Sequence, residues 1–363
     1  MPESTVLAER RKHLGILTLN RPKALNALSL EMIRLVTAQL LAWRADPQVG
    51  AVLLRGANRE GKAPAFCAGG DIRYFHEAAL AGDPTLEDFF SEEYALNHLI
   101  HTFGKPTVVL MDGITMGGGM GLAQGCTMRI VTEHGKLAMP ETNIGLFPDV
   151  GGGWFLARTP GHLGEFLGLC GHVLGAADAL AVDWADAFVP AAALDELVDA
   201  IVDATAVDGV GALSAVNRFH SDAGQSMLRE QRALIDRVFA APDLAAIVTA
   251  LAAEPGEFAA GVAKALAQRS PLMMAVTLEQ IRCARSMTLA DELRMERGLV
   301  RHCFHLRPGA ASETLEGIRA LVVDKDHAPK WNPAVVADVT PAMVEEFFAS
   351  PWPAHAHPLR DLA

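Results

Sequence analysis

Glu141 and Asp149 stand eight positions apart in a stretch, residues 138–156, that is otherwise mostly apolar residues and glycine. A carboxyl among apolar neighbours is held toward its neutral form, which suits it to give or take a proton near neutrality. On residue type alone Glu141 serves equally well as a helix cap and Asp149 as a turn residue. Two more glycine-rich stretches come earlier, FCAGGDI at 66–72 and GITMGGGMGL at 113–122. Glycine lets the backbone approach a ligand closely, and a loop that opens into a helix leaves N–H groups without intrahelical partners. Two such loops aimed at one oxygen make an oxyanion hole, which stabilises charge developing on a carbonyl. Taken singly, each loop is explained better by tight turns and close packing.

Other chemistries find less support. Gly119-x-Gly121 follows a predicted strand, but the next glycine, Gly125, comes one residue late for a dinucleotide fingerprint. There is no P-loop, no G-x-S-x-G elbow and no His/Cys grouping with metal-ligand spacing. No metal and no resident cofactor are therefore expected. His98 and His101 lie on a predicted helix and read as structural. Five scattered cysteines, none in a C-x-x-C pair, read as reduced thiols. A net charge of −12 argues against nucleic acid as the main partner. No apolar run is long enough to suggest a membrane span, and the first residues do not read as a targeting segment. The expected location is cytoplasmic.

The elements that must position these residues alternate in the first half. Strands are predicted at 15–19, 51–55, 107–111 and 128–132, with helical stretches after the intervening loops, which implies parallel pairing and right-handed crossovers. Ser29 is placed to cap a helix carrying Met32, Leu35, Val36, Leu40 and Trp43, which Asp46-Pro47 ends. From about residue 173 the pattern becomes helical, over 176–180, 194–206, 224–240, 244–253, 256–267, 271–285 and 289–303. The chain thus divides into a βα core at 1–200 and a helical region at 201–363, the latter including an insertion at about 201–260. A short helix is expected at 341–349.

The three glycine-rich loops in this order, together with NRPKALNAL at 20–28, resemble the crotonase (enoyl-CoA hydratase/isomerase) superfamily over residues 10–190. That resemblance implies an α/β fold, a crotonase-like spiral of ββα units with a helical C-terminal region. It implies an acyl-CoA thioester substrate, no cofactor beyond the CoA moiety, and an oxyanion hole made by the N–H groups of Gly70 and Gly118. Ala68, Gly69, Asp71 and Lys23 fall at substrate-binding positions, and Arg21 could join Lys23 at the CoA phosphates. Assembly into homo-oligomers is common among such proteins.

Within the superfamily, hydratases carry a glutamate two residues after the triple glycine, where this chain has Gly121. Glu141 matches the second acid, and Asp149 is additional. AMPETNIGLFPDVGGGWFL at 138–156, FFSEEYALN at 89–97 and EGIRALVVDKDHAPKWNP at 316–333 resemble 3-hydroxyisobutyryl-CoA hydrolases. Glu93 matches a substrate-contacting acid of that group. The likeness implies a thioester hydrolase of valine degradation, with Glu141 and Asp149 catalytic. Glu313–Gly317 departs from the group's usual Asp-Phe-x-Glu-Gly, and 307–312 looks inserted. The alternatives are an enoyl-CoA hydratase or isomerase, and a non-catalytic acyl-CoA-binding protein.

Overall fold

A computed structural model describes residues 4–59 and 61–363. Among the described residues there are nine strands: β1 Val6–Arg11, β2 Leu14–Leu19, β3 Ala51–Gly56, β4 Ala65–Cys67, β5 Thr107–Met111, β6 Ile114–Met116, β7 Met128–Val131, β8 Lys136–Ala138 and β9 Ala187–Phe188. They form a six-stranded sheet in the order β1-β2-β3-β5-β7-β9 and a three-stranded sheet in the order β4-β6-β8. Only the β1–β2 pair is antiparallel. Three times a strand of the large sheet is followed by one of the small sheet, as β3–β4, β5–β6 and β7–β8. This repeat is the spiral that the loop order implied.

The chain packs as two compact units, each assembled from separated stretches. The first holds residues 1–70, 95–138 and 173–229 and contains both sheets. The second holds 71–94, 139–172 and 230–363. Division by element type at residue 200 and division by packing are therefore different partitions.

In the first unit β2 and β5 are buried along their whole length, as expected of parallel strands covered on both faces. Leu14, Ile16, Leu53, Val108 and Ile130 pack against Leu197, Val198, Ile201 and Val202 of the Leu194–Ala204 helix. Those four residues make one stripe at helical spacing. Each large side chain buried there is worth roughly 1.5–3 kcal/mol. Ser29 caps the Leu30–Ala45 helix, its hydroxyl accepting the Met32 N–H at 3.3 Å.

The second unit is helical. Pro271–Ala284 is a largely buried helix of it, capped by Ser270, whose hydroxyl accepts the Met273 N–H at 3.1 Å. An aromatic cluster joins Phe75, Phe89, Phe90 and Phe304, with centroids 4.7 Å apart for Phe75–Phe89 and 5.5 Å for Phe90–Phe304. The unusual Glu313–Gly317 stretch is helical: the Glu313 carboxylate accepts the Asn332 N–H at 2.6 Å and the Ser270 hydroxyl. The 307–312 stretch contributes a short 3-10 turn and the Ser312 cap of that helix.

All five cysteines are free, and four are buried, with Cys283 half-buried. Burial pushes the Cys126 thiol up to about 12 and raises those of Cys170 and Cys303 as well.

Candidate active site

In the first unit the loop after β4 meets the loop after β6. Gly69 is in the left-handed region at φ 97°, and a Cβ there would lie 3.2 Å from the Met116 carbonyl and 3.5 Å from the Gly118 nitrogen. A Cβ on Gly119 would lie 2.3 Å from the Cys67 carbonyl. Side chains are excluded because two backbones touch. Gly118 opens the Gly118–Gln124 helix, so its N–H has no carbonyl a turn earlier in that helix. The Leu28 N–H donates to the Gly69 carbonyl at 2.8 Å and the Ala68 N–H to the Leu25 carbonyl at 3.0 Å, which ties the Ala68–Gly70 loop to the 20–28 segment.

That segment is ordered by Asn26, a residue the sequence reading passed over. Its side chain accepts the Arg21 N–H at 3.0 Å and donates to the carbonyls of Ala57 at 3.0 Å and Ala65 at 2.8 Å. Lys23 sits on the 3-10 turn Pro22–Ala24, exposed, at a cavity of about 250 Å³ that Arg59 and Lys62 also line. Arg21 instead donates to the Ala27 carbonyl at 2.9 Å.

In the second unit Glu93, Glu141 and Asp149 form one buried cluster, each at most 6% exposed. Asp71, expected at a substrate position, caps the Ile72–Ala81 helix, accepting the Tyr74 N–H at 3.4 Å. Glu93 lies on Thr85–His101, whose first turn is held by Glu87. Glu87 pairs with Arg297, with Arg301 at 3.0 Å and with His305 at 2.7 Å. Burial works to raise the Glu87 carboxyl, but the His305 hydrogen bond and the two guanidinium charges prevail and hold it at about 2.

Glu141 starts the 3-10 turn Glu141–Ile144, which Gly145 ends at φ 67°. A side chain at Gly145 would strike the Glu313 carbonyl, 2.1 Å from an added Cβ. Burial raises the Glu141 carboxyl well above its usual range, and the charges of Asp149 and Glu93 add to the effect. Burial does the same to Glu93, again with Asp149 adding. Asp149 is pushed up by burial to about 6, restrained by the Tyr94 hydroxyl, which donates to Oδ2 at 2.8 Å. Among the described residues, Glu141 Oε2 and Glu93 Oε1 have no hydrogen-bonding partner. Three acids this close cannot all be charged, so the cluster holds protons at neutrality and Asp149 is the easiest of the three to ionise.

The turn after Asp149 is strained. Val150, β-branched, sits at φ 59° and Gly151 at φ 84°. Such a residue costs on the order of 1–3 kcal/mol and persists only where its surroundings hold it. The holding groups come from far along the chain. Glu296 accepts the Gly151 N–H at 2.8 Å and the Gly153 N–H at 3.2 Å, and Gln280 donates to the Pro148 carbonyl at 2.7 Å. A Cβ on Gly153 would lie 2.3 Å from Glu292 Oε1, which accounts for that glycine. Tyr94, Gln280, Glu292 and Glu296 were not singled out from sequence. The only signal was two glutamates four apart on the helix predicted over 289–303, a like-charged spacing that is unfavourable unless function or burial changes the charge.

Among the described residues no His/Cys/Asp/Glu grouping could hold a metal ion, and no helix is long and apolar enough to cross a membrane.

Comparison with known proteins gives a consistent family. The chain matches the model described as Enoyl-CoA hydratase/isomerase over residues 14–348. It is 42% identical to the mitochondrial 3-hydroxyisobutyryl-CoA hydrolase of Danio rerio, over 96% of this chain and 90% of the relative. It is 39% identical to the Homo sapiens protein of the same name, over 95% and 88%. Two crystal structures share 38% identity with it. One, described as a carnitinyl-CoA dehydratase from Mycobacterium thermoresistibile, superposes with a TM-score of 0.89 over 97% of this chain and 98% of that one. The other, described as an enoyl-CoA hydratase from Rhodobacter sphaeroides, gives 0.87 over 96% and 98%. On the family match over residues 14–348 and the identity to these relatives, the chain belongs to the enoyl-CoA hydratase/isomerase family.

Proposed function

We propose that the protein hydrolyses the thioester of 3-hydroxyisobutyryl-CoA, or of a close 3-hydroxyacyl-CoA, to the free acid and CoA, a step of valine degradation. The observation that carries this reading is Glu141: buried, held toward its neutral form, with one carboxyl oxygen that no described residue satisfies. An acid so placed is poised to exchange a proton with a bound substrate near neutrality. In this reading the N–H groups of Gly70 and Gly118 stabilise the thioester oxygen as it gains charge, a contribution of roughly 100- to 1,000-fold per donor. Once it has given up its proton, Glu141 attacks the carbonyl carbon, giving an anhydride that water then hydrolyses, or takes a proton from an attacking water; in either case the thiolate of CoA leaves. Asp149 binds the 3-hydroxyl or passes a proton to that thiolate, and Glu93 positions the acyl group. Ala68, Gly69 and Asp71 line the substrate path, and Lys23 meets the CoA phosphates, supported by its neighbours Arg59 and Lys62. No cofactor beyond the CoA moiety is invoked.

The second reading, hydration of an enoyl-CoA, is favoured by the descriptions of the two similar crystal structures. Against it stands Gly121, buried inside the Gly118–Gln124 helix where a hydratase carries its other glutamate. We further read the protein as cytoplasmic and self-associating. The relatives named above are mitochondrial by name, so fractionation of the native source and size-exclusion chromatography test these two points.

The deciding assay follows free thiol release from 3-hydroxyisobutyryl-CoA, with loss of enoyl absorbance from crotonyl-CoA in parallel. Thiol release that falls by roughly 100-fold or more in Glu141→Ala supports the hydrolase. Hydration without thiol release replaces it with the hydratase. Binding without turnover of either substrate leaves an acyl-CoA-binding protein. Oxygen-18 entering Glu141 in a single turnover marks direct attack, and its absence marks activated water.

A further inference from the structure

Behind Asp149, on the Leu289–His305 helix, Glu292 and Glu296 are four residues apart and both fully buried. Gln280 Nε2 lies between them, 2.9 Å from Glu296 Oε1 and 3.3 Å from Glu292 Oε1. Burial raises both carboxyls and each feels the other, so the two do not ionise together; Glu292 goes to about 7, with Arg158 opposing its rise, and Glu296 is pushed further. Those pushes alone would place a charge on Glu292, but the hydrogen bonds outweigh them, because three N–H donors converge on Glu296 and one on Glu292. Both oxygens of Glu296 accept N–H groups, from Gly151, Gly153 and Gln280. Among the described residues, Glu292 Oε2 has no partner, and a neutral carboxyl oxygen tolerates that far better than a charged one. The charge therefore sits on Glu296 and the proton on Glu292.

That charge is applied where it matters. Asp149 is joined to Glu296 through the strained Val150–Gly151 turn, and its charge is felt by both glutamates. Loss of the Glu296 bonds would release the turn that follows Asp149 and leave the carboxyl held by the Tyr94 hydroxyl. The other groups that act electrostatically in this cluster are Glu93 and Tyr94 on Thr85–His101, Glu141 on its 3-10 turn, Cys303 on the glutamates' own helix, and Arg158 beside Glu292.

We infer that Glu296 is a positioning residue for Asp149: its carboxylate clamps the Val150–Gly151 turn, and its single negative charge, kept single by the proton on Glu292, lets Asp149 exchange a proton near neutrality. The kinetic part of this inference rests on the hydrolase reading; the electrostatic part does not.

The test titrates protein labelled with ¹³C at aspartate carboxyls, the Asp149 signal being assigned by its loss in Asp149→Asn. Glu296→Gln lowers the Asp149 midpoint by about half a pH unit or more. It also cuts kcat roughly tenfold or more with little change in KM, and moves the Asp149-dependent limb of the kcat profile in step with the midpoint. Glu292→Gln replaces a neutral acid by a neutral amide and holds the Asp149 midpoint at its wild-type value. A Glu296→Gln protein whose kcat falls only with its Tm, at an unmoved Asp149 midpoint, overturns the inference and leaves a purely structural clamp. If Glu296→Gln does not fold, Glu292→Gln decides alone: a lowered Asp149 midpoint there puts the charge on Glu292 and refutes the assignment. If the wild type releases no thiol, the hydrolase reading falls while the titration still decides the electrostatic claim.

Discussion

The interior beneath the six-stranded sheet and the interior of the second unit are both closely packed, but only the second also buries a set of acids. In the first, aliphatic side chains of the strands meet aliphatic side chains of the Leu194–Ala204 helix, and every contact lowers the free energy of the native state. In the second, Glu93, Glu141, Asp149, Glu292 and Glu296 are all withdrawn from water, and burial works against ionisation of each. The contrast separates what holds this chain together from what it is able to do. The apolar interior carries stability, and part of that stability offsets a set of acids kept where they are uncomfortable.

The contrast breaks if substitutions in the two interiors behave alike. The largest effect is expected from Leu53→Ala, at a fully buried position of β3. It should lower stability by about 2–5 kcal/mol, read by denaturant unfolding, while kcat per folded molecule stays at the wild-type value. Asp149→Asn should do the reverse. A carboxyl whose midpoint is raised in the folded state, here to about 6 against 3.8 for the free group, adds stability below pH 4 that is lost as the pH rises through 6. The amide does not titrate, so above pH 6 the variant should be more stable than wild type by up to about 3 kcal/mol, read by denaturant unfolding. The advantage should vanish below pH 4, and turnover should suffer throughout. An Asp149→Asn protein less stable than wild type at pH 7 would mean that the acids are structural after all. The smallest effect is expected from Lys12→Ala, which removes a 2.8 Å bridge to Asp203 whose partners are both largely exposed. Its effect should be too small to resolve by denaturant unfolding, and any remainder of it should fade in high salt.

The same contrast governs what the sequence revealed. Buried parallel strands are short unbroken apolar runs, so β2, β3, β5 and β7 were legible from their residues, as were the later helices to within about two residues, apart from the last turn of Gly224–Ala240's start, which the structure places at Met227. β1 escaped because its residues VLAERR form an exposed, charged edge, and β4, β6 and β8 because three residues establish no period. Glu141, Asp149 and Glu93 were found through motif likeness and lie together. The residues that tune them were not found, because Glu296 acts across 145 positions to reach Gly151, and no local pattern encodes that contact. The 1–200 and 201–363 division followed element type, whereas packing places the 71–94 and 139–172 stretches with the later helices.

The cysteines have a practical consequence for the assay proposed above. A colour reagent that detects CoA also detects protein thiols, and background would normally set the limit of such a measurement. Here four of the five sulfurs are buried, and the half-buried Cys283 is pushed up to about 11, so few thiolates exist to react at neutral pH. The native enzyme should be nearly silent to the reagent it is assayed with, and a sudden rise in signal without substrate would report that the molecule has opened. One cuvette therefore records both turnover and structural integrity.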